Sequence, residues 1–241
     1  MLIIPSMCNI ANIKHQLYNA HQIMPVFKLD KNEISFPDPT LAEPDGLLAI
    51  GGDLCAERLL LAYSHGIFPW YEEGQPYMWW CPKDRFIIRP SNIHISHSLA
   101  KYIKKHDIRA VINRDFSDTM HRCRMKRENT EGTWITDDME KAYAALNKRG
   151  YAMAVESCVD GVISGGLYGV VIGNNFFGES MYSDWENGSK LALVLLAHAL
   201  KKADFGMIDC QFHTDFLESM GGEYISYDEY MKIIHQNALQ V

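Results

Sequence analysis

Residues 151–183 constrain the fold more tightly than any other stretch of this chain. They contain three β-rich runs: "YAMAVESCV", "VISGGLYGVVI" and "NFFGESMYS". The joints between them are Asp160-Gly161 and Gly173-Asn174-Asn175. Gly, Asn and Asp tolerate the left-handed backbone of tight hairpin turns, so the spacing predicts an antiparallel meander. A long apolar helix is predicted over about 188–203. After it come a short buried strand within "FGMIDCQ" (205–211), a helix near 214–221 and a closing helix over 227–238.

The best-defined helix precedes the meander. In "TDDMEKAYAALNKRG" (136–150), Thr136 is placed to cap the start and acids fill the first turn. Met139, Tyr143 and Leu146 share a face, and Gly150 marks the stop. Further upstream, the pattern predicts a helix over 53–65 capped by Asp53, with Gly66 just past its end. It then gives a strand over 85–90, a helix near 96–106, a strand over 108–113 and a helix over 115–127. Strands and helices interleave without strict alternation, so the expected class is α/β with a mixed, largely antiparallel sheet. The expected organisation is an extension over 1–32, or translation beginning at Met24, followed by a small N-terminal α/β domain over 33–95 and a larger domain over 96–241.

Composition excludes several classes. No run approaches the ~18 apolar residues of a membrane span, and the first residues lack the basic leader and cleavage site of a secretory signal. A cytoplasmic, non-membrane protein is expected. The six cysteines, at 8, 55, 81, 123, 158 and 210, show no zinc-ligand spacing, so reduced thiols and no metal are expected. The net charge of −7 is unevenly spread: residues 1–80, 81–127 and 128–241 carry balances of −5, +8 and −10. A basic middle flanked by acidic segments suits two partners of opposite charge, although solvated helix faces that differ in sign would look the same.

Candidate chemistry gathers late in the chain. Glu179 lies in "FGESM", and Asp209 and Gln211 lie in "MIDCQ", where strand periodicity would put 209 and 211 side by side on one face. A carboxylate beside an amide can orient a nucleophile; a carboxylate at a strand end is also a common structural acceptor. Leu167, Met181, Leu193, Leu196, Leu200 and Ile208 supply apolar surroundings, and the i, i+3, i+7 spacing of the three helical leucines reads first as core. There is no phosphate-binding Gly-x-x-x-x-Gly-Lys loop, Gly-x-Gly-x-x-Gly turn, Gly-x-Ser-x-Gly elbow or His-Glu-x-x-His pair. "GIFPWY" (66–71) and "MWW" (78–80) place three of the five tryptophans in what reads as an irregular, proline-punctuated loop next to the basic stretch. Such a loop suits base stacking beside phosphate-holding cations, or equally an inter-domain aromatic cluster.

Taken together and in order, these stretches resemble the bacterial leucyl/phenylalanyl-tRNA–protein transferases. The resemblance is carried by "FPDP" (36–39), "EPDGLLAIGGDL" (43–54), "GIFPWY", "WWCPKDR" (79–85), "EGTWIT" (131–136), "GGLYGV" (165–170), "FGESMYS" (177–183) and "IDCQ" (208–211). It covers the chain from about residue 33 onward. It implies a C-terminal domain of the acyl-CoA N-acyltransferase (GNAT-like) type. It also implies transfer of leucine or phenylalanine from a charged tRNA to the α-amine of proteins beginning with Lys or Arg, which marks them for degradation, with no cofactor and a monomeric enzyme.

By that resemblance Trp70 and Trp134 contact the terminal adenosine, and the six apolar residues above form the aminoacyl pocket. Glu179, Asp209 and Gln211 surround the reacting ester. The +8 stretch becomes a tRNA phosphate track, with Lys83, Arg85, Arg89, Lys101, Lys104, Lys105, Arg122, Arg124, Lys126 and Arg127 as candidates. Asp184 stands where a basic or neutral residue is expected, and Leu196 and Leu200 where aromatic residues are. The rival readings are an acyl-CoA-dependent N-acyltransferase, which lacks its pyrophosphate loop here, and a noncatalytic tRNA-binding protein.

Overall fold

The computed structural model describes residues 26–128 and 132–236. Residues 1–25 of the expected extension lie outside the described residues, whereas Phe27–Leu29 within it form a strand of the first sheet. Two sheets organise the chain.

The first sheet comprises β1 (Phe27–Leu29), β2 (Leu47–Gly51), β3 (Phe68–Pro69) and β4 (Met78–Trp80), in the order β1-β2-β4-β3. Helix α1 (Ala56–Ser64) connects β2 to β3. It begins later than the sequence predicts, because Cys55 occupies the cap position. Asp53 turns its carboxylate to the Cys55 amide (3.1 Å) and the Arg58 guanidinium (3.0 Å) instead. The aromatic loop is also corrected. "FP" and "MWW" are paired antiparallel strands, with Phe68 opposite Trp80 and Pro69 opposite Trp79. Their large rings are buried in the core of this sheet.

The second sheet has seven strands: β5 (Asp84–Ile88), β6 (Ile108–Ile112), β7 (Ala152–Val159), β8 (Val162–Ile172), β9 (Asn175–Ser183), β10 (Met207–Asp209) and β11 (Glu223–Ser226). Their order is β11-β5-β10-β9-β8-β7-β6. The predicted meander is β7-β8-β9. Every neighbouring pair is antiparallel except β9 and β10. Those two run parallel because a helical crossover joins them.

The remaining helices are α2 (His97–Ile103), α3 (Phe116–Glu128), α4 (Asp137–Lys148), α5 (Gly188–Lys202), α6 (Asp215–Ser219) and α7 (Tyr227–Gln236). Thr136 caps α4 as its sequence predicts, accepting the Met139 amide. Residues 237 and 238 of the predicted closing helix lie outside the described residues. Helix α5 is the β9-to-β10 crossover, and its first turn lies directly on β8. A Cβ at Gly188 would stand 2.0 Å from the Ser164 carbonyl oxygen, so only glycine fits. Successive strand residues face opposite ways. Tyr168 of β8 therefore meets Phe116 of α3 and Tyr143 of α4, while the neighbouring Leu167 faces α5. No helix among the described residues is long and apolar enough to cross a membrane.

Candidate active site

The site forms where the parallel pair comes apart. Phe177 of β9 is level with Asp209 of β10; there β10 ends while β9 continues to Ser183. Just beyond, the β8–β9 ladder shifts register. Tyr168 pairs with Ser180 and Gly169 with Gly178, so Glu179 is the extra residue of a bulge. Bulges re-aim a side chain out of the alternating pattern.

Both carboxylates are buried, and their partners differ in kind. Asp209 has no exposed surface. Arg85 from β5 grips it with Nε and Nη2 (2.9 and 2.7 Å), and the Tyr230 hydroxyl of α7 donates to Oδ2 (2.7 Å). Burial works against the Arg85 charge, but the Asp209 carboxylate more than compensates and raises its pKa. Glu179 meets only hydroxyls: Tyr63 donates to Oε1 (2.6 Å) and Tyr143 to Oε2 (3.3 Å), and the two tyrosine oxygens touch. Burial pushes the Glu179 carboxyl up to about 8, against the lowering effect of the two hydroxyls.

Gln211 lies beyond the end of the strand, in left-handed backbone (φ 59°), so it does not share a strand face with Asp209 as the sequence suggests. The link runs through the main chain: the Gln211 amide donates to Asp209 Oδ1 (2.9 Å).

Against Glu179 lies an almost wholly apolar cavity of about 20 Å³. Five of the six apolar residues selected from sequence line it: Leu167, Met181, Leu193, Leu196 and Ile208. Leu200 is buried in the core but does not line the cavity. Sequence reasoning missed Phe176, Cys210 and Leu217 in the wall. A space of this size holds about one water and, as it stands, is too small for a leucyl or phenylalanyl side chain.

Residues 87–235 match the family model described as leucyl/phenylalanyl-tRNA protein transferase, and residues 52–83 match that family's N-terminal domain. A leucyl/phenylalanyl-tRNA–protein transferase from Desulfatibacillum aliphaticivorans is 46% identical over 214 residues, covering 88% of this chain and 91% of its own. One from Syntrophobacter fumaroxidans is 45% identical, covering 90% and 93%. This chain belongs to the leucyl/phenylalanyl-tRNA–protein transferase family. Its members are aminoacyltransferases. Among solved structures it is similar to L-PGS from Bacillus licheniformis, at 12% identity and a TM-score of 0.42, over 76% of this chain and 71% of that one.

The tryptophans that the transferase resemblance singles out are not exposed platforms. Trp70 is 5% exposed and packs at 5.5 Å on both Trp80 and Phe212, the residue after Gln211. The aromatic cluster therefore joins the first sheet to the segment that follows β10. Trp134 is buried beneath the Arg127 guanidinium (5.9 Å), and its indole N–H has no acceptor among the described residues.

The basic stretch divides by residue type. Arg85 is 1% exposed and committed to Asp209, which removes it from any surface phosphate track. Arg89 pairs with Glu223 and Glu229, Arg122 with Asp118 and Asp184, and Arg124 with Glu128, Asp137 and Glu140. Lys126 also meets Asp184, while Arg127 is buried and donates to Ser180. Lys83, Lys101, Lys104 and Lys105 are exposed and make no ion pair among the described residues. The planar guanidinium fork suits carboxylates, whereas a lysine works as a mobile point charge.

Proposed function

We propose that this chain transfers leucine or phenylalanine from aminoacyl-tRNA to the N-terminal α-amine of proteins beginning with Lys or Arg. The observation that carries this reading is the apolar cavity walled on one side by Glu179, within a chain of this family. An α-carbon bears both side chain and amine, so a side chain seated in the cavity brings its own amine to the Glu179 edge. Glu179 then orients the aminoacyl group.

The reaction is aminolysis: the acceptor nitrogen bonds to the ester carbonyl carbon, the C–O bond to the ribose breaks, and the tRNA hydroxyl leaves with a proton. An α-amine has a pKa of about 7.7–8.0, so a neutral fraction exists near pH 7 and positioning supplies much of the rate. Asp209 is saturated by Arg85, Tyr230 and the Gln211 amide. It acts as a fixed anion that sets the Gln211 backbone, and the Gln211 side-chain carbonyl accepts from the attacking amine. The proton then leaves through water or the tRNA 2′-hydroxyl. Trp70 and Trp134, buried as they stand, take the terminal adenosine only as their neighbours move aside at the junction between residues 33–95 and 96–241, which serve as the two domains. The exposed lysines take the phosphates, and the enzyme works as a cytoplasmic monomer.

The test is transfer of radiolabelled leucine and phenylalanine from charged tRNA to a short peptide beginning with Arg. An N-acetylated copy of the peptide, and acetyl-CoA as donor, run beside it. Label on the free peptide alone, from tRNA alone, supports the reading; tRNA binding without transfer removes it. If Asp209→Asn keeps full turnover at saturating substrates, the role given to Asp209 is wrong.

A further inference from the structure

Glu179 is a buried acid without a cation of its own, held by two hydroxyls that come from different parts of the chain. Tyr63 is the penultimate residue of α1, in the N-terminal part; Tyr143 lies in the middle of α4. Neither has any exposed surface. The Tyr63 hydroxyl donates to Glu179 Oε1 (2.6 Å), and the Tyr143 hydroxyl has one proton to share between the Tyr63 oxygen it touches and Glu179 Oε2 at 3.3 Å. The two closest contacts form a chain from Tyr143 through Tyr63 to the carboxylate, with Tyr63 as its hub. A hydroxyl buried this deeply without a partner costs about 1–3 kcal/mol; Glu179 is the acceptor at the end of this chain, and Tyr143 reaches it directly or through the Tyr63 oxygen. Tyr168, also buried and near the same group, has a hydroxyl with no partner among the described residues.

We propose that Tyr63 and Tyr143 are positioning residues that hold Glu179 ionisable and aimed at the α-amine of the donor's aminoacyl group, so that the N-terminal part of the chain contributes directly to the active site. This rests on the donor-orienting role of Glu179 proposed above. The groups facing Glu179 are Tyr63 on α1, Tyr143 on α4, Tyr168 on β8, Asp209 on β10 and Arg85 on β5. Arg85 and Asp209 are bound to each other and oppose one another in their effect on Glu179. The balance is therefore left to burial, which favours the neutral acid, and to the two hydroxyls, which favour the carboxylate. A donor whose side chain enters the cavity brings an ammonium to this edge, and a carboxylate already held in place by two donors meets it without rearrangement. Removing either hydroxyl both loosens the carboxylate and raises the pH at which it ionises.

The experiment follows kcat and KM for leucyl-tRNA, and hence kcat/KM, from pH 6 to 9, with donor concentrations spanning KM, in wild type, Tyr63→Phe, Tyr143→Phe and Glu179→Gln. Phenylalanine keeps the ring packing, and denaturant unfolding of each variant checks the fold. Loss of one hydrogen bond to a charged group predicts a decrease of about tenfold for Tyr63→Phe at pH 7. The loss should fall mainly on KM, with the rising limb of the profile displaced upward by about one pH unit. Tyr143→Phe should shift the same limb by less, which keeps the proposal open to refutation if Tyr63→Phe folds poorly. A loss that is uniform across pH, or profiles that overlay the wild type, would overturn it. If Glu179→Gln retains the wild-type donor KM and profile, the orienting role of Glu179 itself fails. If Glu179→Gln is impaired while both tyrosine variants match wild type, only the present inference fails.

Discussion

Asp209 and Glu179 stand at the end of the parallel strand pair, both buried in the same protein, yet their surroundings give them opposite charge behaviour. Asp209 is clasped by a bidentate guanidinium and a phenol, so its negative charge is compensated before any substrate arrives. Glu179 has two phenols and no cation, and burial lifts its carboxyl to about 8. Burial alone therefore does not decide whether an acid is charged; the partner does. In the proposed reaction one acid is a permanent fixture that shapes the loop around Gln211, and the other is completed by the substrate.

The strongest way to break this contrast is to remove the compensation. Arg85→Met leaves a buried carboxylate unpaired and should destabilise the fold by about 3–5 kcal/mol in urea unfolding. Arg85→Met with Asp209→Leu should recover most of that stability and none of the transfer activity. A loss below 1 kcal/mol for the single variant would show that the Arg85–Asp209 pair contributes little to the fold. The Glu179 side is tested by pH. Its folded pKa stands above the ordinary carboxylate value, so the folded state holds its proton more tightly than the unfolded chain. Its stabilising contribution is complete below about pH 4.5 and declines as pH rises toward about 8. Relative to Glu179→Gln, wild-type stability should fall by a few kcal/mol across that window in parallel urea titrations, then stay level. Equal slopes would remove the distinction between the two acids.

The cavity offers a smaller contrast. Leu196→Ala and Leu200→Ala should each cost about 2–4 kcal/mol of stability. Only Leu196→Ala, which enlarges the cavity, should raise the ratio of phenylalanine to leucine transferred. A similar change in both would mean that Leu200 reaches the aminoacyl group. The mildest perturbation is Tyr230→Phe. It removes one hydrogen bond from an Asp209 still held by Arg85, and should cost about 1.5 kcal/mol with the pH profile unmoved.

Much of this arrangement was legible in the chain. The meander, the Thr136-capped helix and the crossover helix follow from turn residues and periodicity, which act locally and survive in the fold. Family motifs singled out Glu179 and Asp209, and of the six apolar residues named with them five line the cavity beside Glu179. The failures were of one kind. Arg85 reads as one more cation in a basic run, and nothing local tells that its partner lies 124 positions away. Tyr63 and Tyr143 read as core faces of their helices; that their hydroxyls must find an acceptor is predictable, but the bulge that supplies Glu179 is not. The "MWW" run was too short and too close to proline to show strand alternation. It becomes a strand only by pairing with β2 and β3.

The clasp on Asp209 also ties distant parts of the chain together. Arg85 comes from β5, Asp209 from β10 and Tyr230 from α7. Tyr230 further rests on the bend after α1, where a side chain at Gly66 would stand 2.5 Å from its ring. Any residue larger than glycine at that bend therefore pushes on one jaw of the clasp, so a fault in the N-terminal part of the chain is felt at a carboxylate more than 140 positions further on.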